Sequence, residues 1–201
     1  NVLGVMMGNG WAKGMFGTSS KMHPETFLDE YCLKAELRVE FDDGSEEVIL
    51  TDDSWKCTSS PILADSIYDG EVFDERKVIK DWSLADYDDA SWKFMKVIED
   101  IKVRADHHSH LGKLEDRLSL PIVVKEIVKP IGFIYTPKGE TVLDMGQNIA
   151  GWVRIRVNEP AGTIIKLSHG EILQDDCFYN ENLRRAKAEY TYIRSEMSGS
   201  L

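Results

Sequence analysis

A glycine- and amide-rich string, DMGQNIAGW at residues 144–152, joins two apolar stretches. Upstream, residues 140–145 have the composition of a β-strand. Downstream, apolar residues alternate with two arginines over residues 152–157, and a period of two is typical of a half-buried antiparallel strand. Within this string, Gly146 and Gly151 can adopt positive φ or allow another backbone to approach closely. The string therefore predicts a sharp corner between two strands of an antiparallel β structure.

Local chemistry allows two interpretations of this corner. Gln147 and Asn148 each carry an amide donor and acceptor, which can satisfy backbone groups freed at a bend. This favours a polar-stapled corner of a β-sandwich. The same amides, together with the face of Trp152, would also suit a loop that contacts hydroxyl-rich sugars.

Short strand patterns and frequent turn signals recur along the rest of the chain, without repeats or a long amphipathic helix pattern. We predict an all-β fold of two jelly-roll-like β-sandwich modules, residues 1–112 and 113–201, with the boundary near Lys113. Residues 182–188 are expected to form a loop or a short helix, and no helical pattern follows Gly10. Further strands are predicted at residues 2–7, 34–41, 47–50, 121–130, within 132–139, 163–168 and 190–193.

The charge balance limits the partners of the chain. It has 201 residues, a formal net charge of -11 and a sequence pI of about 4.9, so the basic footprint of a nucleic-acid-binding protein is missing. No apolar run reaches the roughly 18 residues needed to span a bilayer. The chain begins with Asn1 inside a strand pattern, which predicts a first module incomplete at its start. The sequence does not distinguish cytoplasmic, periplasmic and extracellular locations.

Metal and thiol chemistry have weak candidates. Three widely spaced cysteines fit neither a disulfide framework nor a zinc site, and each is expected to be a small buried residue: Cys32, Cys57 and Cys177. A histidine run is more typical of a solvated linker than of a metal site: His107, His108 and His110. Four Asp-Asp pairs, at residues 42–43, 52–53, 88–89 and 175–176, predict turns, with calcium binding as the alternative.

A glycosidase needs two carboxyl groups that face each other across a cleft. Glu71 and Glu171, each directly after a glycine, are the candidates that the sequence offers. The simpler interpretation, which we favour, is a pair of edge or turn glutamates held by backbone donors.

Four strings in order resemble the bacterial α-L-rhamnosidase family, glycoside hydrolase family 78: GNGW at 8–11, YDGEVFDER at 68–76, DMGQNIAGW at 144–152 and HGE at 169–171. The resemblance implies a first β-sandwich of the galactose-binding kind and a second β-sandwich that precedes the catalytic domain. In that family an (α/α)6 barrel later in the chain hydrolyses terminal α-L-rhamnosyl residues with inversion. Nothing in these residues resembles the barrel.

The resemblance therefore implies a non-catalytic fragment of such an enzyme, inactive alone. It assigns no catalytic residue here and excludes Glu71 and Glu171 as the catalytic pair. The expected partners are rhamnose-containing glycans or glycosides and the catalytic barrel of the same parent chain, with no nucleic acid and no membrane.

Some members of the family bind rhamnose with calcium in the amino-terminal module. Asn9 is the first candidate for such a site, with Asp69 and Glu71 as partners and Trp11 as an aromatic platform. No metal ligand is assigned and no cofactor is expected, although calcium stays open.

Two further functions compete with support of the barrel. A free-standing carbohydrate-binding module predicts that Trp11 or Trp152 is exposed. A purely structural or oligomerising domain predicts that both are buried beside a large apolar patch.

Overall fold

A computed structural model describes residues 2–14, 30–98, 101–102, 108–109, 114–115 and 118–196. The chain divides into two compact units. Unit 1 comprises Asn1–Ile67 and Lys77–Asp116, and unit 2 comprises Tyr68–Arg76 and Arg117–Leu201. Lys113, where the sequence places the module boundary, lies outside the described residues.

The described residues form short β-strands and very little helix, which confirms the predicted β-rich class. One α-helical turn, α1 (Gly10–Lys13), follows the glycine-rich loop, so the expectation of no helix there is wrong. The described ranges also contain 3-10 turns at Glu75–Lys77 and Glu181–Leu183, the second at the start of the predicted loop or short helix. The strands in chain order are β1 Glu36–Glu40, β2 Glu46–Leu50, β3 Lys56–Cys57, β4 Ile62–Ser66, β5 Gly70–Asp74, β6 Lys93–Phe94, β7 Ile101–Lys102, β8 His108–Ser109, β9 Gly132–Tyr135, β10 Thr141–Asp144, β11 Ile164–Ser168, β12 Ile172–Gln174, β13 Cys177–Tyr179 and β14 Glu189–Ile193.

Unit 1 contains three antiparallel pairs among its described strands: β1 with β2, β3 with β6, and β7 with β8. The β1–β2 hairpin turns at Gly44, whose φ of +81° few other residues adopt. Lys56 of β3 forms an ion pair of 2.6 Å with Asp89 and lies over the ring of Phe94 in β6. These contacts hold the short β3–β6 pair together.

The paired aspartates form turns, as the sequence predicts. The carboxylate Oδ1 of Asp43, Asp52 and Asp88 each accepts a hydrogen bond from the backbone N–H two residues later, at 2.9–3.0 Å. Asp175 and Asp176 have φ of +51° and +58° between β12 and β13, the backbone of a two-residue hairpin turn. Local turn chemistry accounts for all four pairs.

The described strands of unit 2 form two hairpins, β9–β10 and β12–β13, and a set of three paired strands. In that set β14 pairs antiparallel with β11 on one side and parallel with β5 on the other. Tyr192 in β14 is 3% exposed, and its ring stacks on Phe73 of β5 with centroids 6.0 Å apart and planes 8° from parallel. Cys177 in β13 is also buried.

Three strand predictions are wrong. Residues 2–7, 121–130 and 152–157 lie within the described part of the chain but form no strand. Over 154–158 the burial still alternates, with Ile155 and Val157 half-buried and their polar neighbours exposed. Periodicity reports which face of an extended segment is covered, whereas a strand also needs a hydrogen-bonding neighbour. Residues 152–157 have the first property without the second, whereas residues 2–7 and 121–130 are almost entirely exposed and have neither.

The cysteines also depart from expectation. All three are free, but only Cys177 is buried, while Cys32 is half-buried and Cys57 is exposed in a two-residue strand. A cysteine packs as a small hydrophobic residue only where the fold provides a core. Among the residues described, no helix has the length and apolar character needed to cross a membrane.

Candidate functional site

Asn9 ties the glycine-rich loop of unit 1 to strand β4. Its backbone N–H donates to Oδ1 of Asp65 at 2.6 Å, and its Nδ2 donates to the Asp65 carbonyl oxygen at 2.8 Å. Its Oδ1 accepts a 2.7 Å hydrogen bond from the Tyr31 hydroxyl. A Cβ at Gly8 would lie 3.2 Å from Oδ1 of Asp65, tighter than an ordinary van der Waals contact, which favours a glycine before Asn9. The Asn9 amide is thus engaged at both ends within the protein.

Charged and aromatic groups surround this loop. Lys13 places its Nζ 4.5 Å from the centroid of the Tyr31 ring, a cation–π contact. Burial, and then the negative charge of Asp65, raise the pKa of the Tyr31 hydroxyl, which keeps that hydroxyl protonated. Trp11, on α1, is 49% exposed. We name Asn9, Asp65, Tyr31 and Trp11 the loop cluster.

The loop cluster combines the groups that bind sugars in proteins. A half-exposed indole offers a face for the C–H surface of a sugar, and a carboxylate and a phenol offer hydrogen bonds to its hydroxyls. Asn9 holds the loop in place through its three hydrogen bonds. Sequence reasoning missed Asp65 and Tyr31, because they are 56 and 22 residues from Asn9 and no spacing pattern links them.

Asp69 and Glu71 lie in unit 2, at the start of β5. The Asp69 carbonyl accepts from the N–H of Glu189 at 2.9 Å, and its Oδ1 accepts from the N–H of Lys187 at 3.3 Å. Glu71 is opposite Tyr190 in the parallel register and accepts a hydrogen bond from its hydroxyl. Burial, then the charge of Glu71, raise the pKa of Tyr190. Both acids therefore serve the pairing of β5 with β14.

The four predicted site residues are divided between the two units. Asn9 and Trp11 lie in unit 1, where hydrogen bonds join Asn9 to Asp65 and Tyr31. Asp69 and Glu71 lie in unit 2. The structure thus connects Asn9 to an acid that the sequence did not single out.

At the 144–152 corner a carboxylate makes the stapling bond. Gly146, with φ of +73°, donates its N–H to Oδ1 of Asp144 at 2.8 Å, and the Asp144 carbonyl accepts from Ile131 at 2.7 Å. Trp152, just beyond the corner, is 67% exposed. The corner is polar-stapled as expected, although by Asp144 rather than by the neighbouring amides.

The other candidates have structural contacts. Glu171 accepts a 3.0 Å hydrogen bond from Nδ2 of Asn182, and Nδ1 of His169 lies 2.9 Å from the carbonyl oxygen of Ala188. Within the described ranges no group of three or more metal-binding side chains lies together. The histidine run lies outside them, apart from the backbone of His108.

Two known domain families match successive parts of the chain. "Alpha-L-rhamnosidase N-terminal domain" matches residues 1–126, and "Bacterial alpha-L-rhamnosidase concanavalin-like domain" matches residues 134–200. The chain belongs to the alpha-L-rhamnosidase family. The resemblance drawn from the four strings is therefore confirmed. The matched N-terminal domain contains all four predicted site residues.

Individual relatives agree with this family. An alpha-L-rhamnosidase of Streptomyces avermitilis is 33% identical over 195 residues, which cover 96% of this chain and 18% of that protein. One from Formosa agariphila is 33% identical over 181 residues, 86% of this chain and 17% of that protein. The chain therefore spans less than a fifth of the length of these alpha-L-rhamnosidases.

Solved structures of alpha-L-rhamnosidases share the fold. The Streptomyces avermitilis enzyme complexed with L-rhamnose gives a TM-score of 0.80 at 30% identity and covers 96% of this chain and 18% of its own. The Aspergillus terreus enzyme gives 0.69 at 31% identity, covering 84% of this chain and 18% of its own.

Proposed function

We propose that this chain is the non-catalytic, N-terminal part of an alpha-L-rhamnosidase that hydrolyses terminal α-L-rhamnosyl residues with inversion. In this proposal residues 1–112 and 113–201 are two β-sandwich modules, the first galactose-binding-like, that support a catalytic (α/α)6 barrel. The observation that carries the proposal is the pair of family matches, in a chain that spans only 18% of the Streptomyces avermitilis relative.

Bond cleavage is assigned to the barrel because the two candidate acids of this chain, Glu71 and Glu171, are otherwise engaged. An inverting glycosidase needs two carboxyl groups about 6.5–9.5 Å apart with a water between them. Glu71 instead accepts from the Tyr190 hydroxyl, and Glu171 accepts from the Asn182 amide. Both carboxylates are thus held in structural hydrogen bonds.

We further propose that the loop cluster holds a terminal rhamnose. The Trp11 ring would stack on the apolar face of the sugar, and the Asp65 carboxylate and Tyr31 hydroxyl would bind its hydroxyl groups. Asp65 also offers an oxygen ligand to calcium. Asp69 and Glu71 are not part of this proposed rhamnose site, because their hydrogen bonds hold β5 beside β14.

Calorimetric titration of the chain with L-rhamnose, with and without calcium, tests the loop cluster. Replacing Trp11→Ala should weaken binding about tenfold, equivalent to about 1.4 kcal/mol of lost stacking. Trp152→Ala is the matched control, because that exposed tryptophan lies in unit 2. Absence of heat at millimolar rhamnose under both conditions, or loss of binding in the control alone, would refute the assignment.

An exposed apolar face in unit 2 supports a docking partner. Phe133 and Tyr135 are 64% and 78% exposed on one face of β9, and Leu143 lies opposite Phe133 on the same face. The other face carries the half-buried Ile134 and Val142. Strands that are apolar on both faces are typically covered on both. We propose that the barrel of the parent enzyme covers this face.

A free-standing carbohydrate-binding module is the second candidate. It predicts exposed Trp11 or Trp152, and both are exposed. A purely structural domain predicts both buried, which is wrong for each of them. Quenching of tryptophan fluorescence with and without rhamnose separates these two functions, since only a sugar-binding chain shows protection of Trp11.

A further inference from the structure

Residues Tyr68–Arg76, the inserted segment, lie in unit 2, although they fall within the residues matched by the N-terminal family domain. The concanavalin-like match begins only at residue 134. We propose that the inserted segment is an integral strand of unit 2, fixed there by Glu75 and Arg194. The second family domain is then a discontinuous folding unit that requires nine residues from the first.

Backbone pairing gives the first support. β5 pairs in parallel with β14 over five positions, from Gly70 opposite Glu189 to Asp74 opposite Ile193. Two more hydrogen bonds extend the contact, from the N–H of Ala188 to the Tyr68 carbonyl at 3.0 Å and from Glu189 to Asp69. β14 is the strand between β11 and β5. Loss of the inserted segment would therefore leave one edge of β14 unpaired.

Side-chain fit gives the second support. Gly70 has φ of +95°, and a Cβ there would overlap the carbonyl oxygen and backbone of Glu189. A glycine is thus required by the contact with β14 itself, not by a free turn. Three positions on, Phe73 stacks on the ring of Tyr192, one of the most buried side chains described.

A buried ion pair gives the third support. Nη1 of Arg194 donates to both carboxylate oxygens of Glu75, at 3.0 and 2.7 Å, and the N–H of Ser195 donates to Oε2 at 2.7 Å. Arg194 is only 8% exposed and Ser195 is also buried. We name Glu75, Arg194 and Ser195 the clasp. Without the inserted segment, a buried guanidinium would lose its carboxylate partner, which is strongly destabilising.

Hydrogen exchange of the 201-residue chain, resolved by peptide mass spectrometry, tests the proposal. Gly70→Ala should accelerate exchange of the β14 and β11 amides at least about tenfold and leave those of β1 and β2 unchanged. Gly139→Ala is the matched control. It lies in unit 2 with φ of +82°, but its Cβ would meet no atom within 4 Å. The control therefore carries the backbone strain without the clash against β14.

Glu75→Gln keeps the test decisive if Gly70→Ala does not fold. It retains the shape of the side chain and removes only the charge, and the same β14 and β11 amides should exchange faster. Acceleration confined to β1 and β2, equal acceleration in both units, or no change in β14 with either variant would overturn the proposal.

Discussion

Replacing Glu75→Gln should destabilise unit 2. The Glu75 side chain is 12% exposed and the Arg194 side chain 10%, so the opposite charges of this ion pair have little contact with water. Glutamine keeps an acceptor for the N–H of Ser195 but leaves Arg194 without a counter-charge. A buried charge without its partner costs more than the pair itself contributes.

The pKa of Glu75 gives the magnitude. Burial raises that pKa, but hydrogen bonds from the Ser195 backbone, the Tyr192 hydroxyl and Arg194 outweigh burial and bring it from 4.5 to about 2. A depression of this size corresponds to about 3 kcal/mol of stability at neutral pH. Solvent screening at the partly accessible pair lowers the expected contribution to about 2 kcal/mol.

The sign of the pH dependence follows from the depressed pKa. Because the folded pKa lies below the unfolded one, the stabilisation is complete above about pH 5 and is lost as the pH falls towards 2. By pH 3 more than half of it should be gone. Unit 2 of the unmodified chain should therefore weaken between pH 5 and pH 3, and Glu75→Gln should show less of this dependence.

Urea unfolding at pH 7 and pH 3, followed by the amide resonances of β14 with those of β1 as internal reference, measures both effects. At pH 7 the β14 midpoint should fall by roughly 1 M. Glu71→Gln, in the same strand, is the matched control, since glutamine can still accept from the neutral Tyr190 hydroxyl. Adding Arg194→Met to Glu75→Gln should recover part of the loss by removing the unpaired charge. An unchanged midpoint, or equal acid sensitivity in chain and variant, would refute the reasoning.

Three further outcomes are expected. The purified chain should not cleave 4-nitrophenyl α-L-rhamnopyranoside under conditions in which the Streptomyces avermitilis alpha-L-rhamnosidase does, and cleavage would contradict the non-catalytic assignment. Asp89→Asn should lower the free energy of unfolding by less than about 1 kcal/mol, because the ion pair between Asp89 and Lys56 is partly exposed. A loss above about 2 kcal/mol in chemical unfolding would contradict this expectation. In timed alkylation read by mass spectrometry, the exposed Cys57 should react at least about a hundredfold faster than the buried Cys177, and equal rates would show that unit 2 opens readily.

Local sequence chemistry predicted the parts of the fold that depend on neighbours in the chain. The Asp-Asp turns form through bonds to the residue two positions on, and the β1–β2 hairpin closes at a glycine, because both are decided within a few residues. Strands β11 and β14 were also expected, since their apolar periodicity coincides with real pairing.

Pairings between residues far apart in the chain could not be predicted from the sequence. Nothing local indicates that β5 runs parallel to β14, about 120 residues away, or that Glu75 meets Arg194. The same limit explains the candidate site. Family resemblance led to Asn9, but its partner Asp65 is known only from the folded loop. The apolar stretch between two prolines at residues 121–130 likewise predicted a strand, for which the described chain supplies no neighbour.

The balance of buried groups in unit 2 explains why the clasp matters there. Among the residues described, its buried hydrophobic side chains are Cys177 and Tyr192, whereas Asp74, Thr136, Arg194 and Ser195 are buried polar residues. Asp74 in turn accepts from two guanidinium nitrogens of Arg76 at 2.8 Å. Because few apolar side chains of unit 2 are buried, hydrogen-bonded charge pairs determine which strand lies beside β14. Burial of an exposed apolar face by a partner should add hydrophobic stabilisation that unit 2 lacks by itself. A partner that binds the β9–β10 face would then raise the stability of unit 2 by mass action, and the clasp would keep β5 in place until it does.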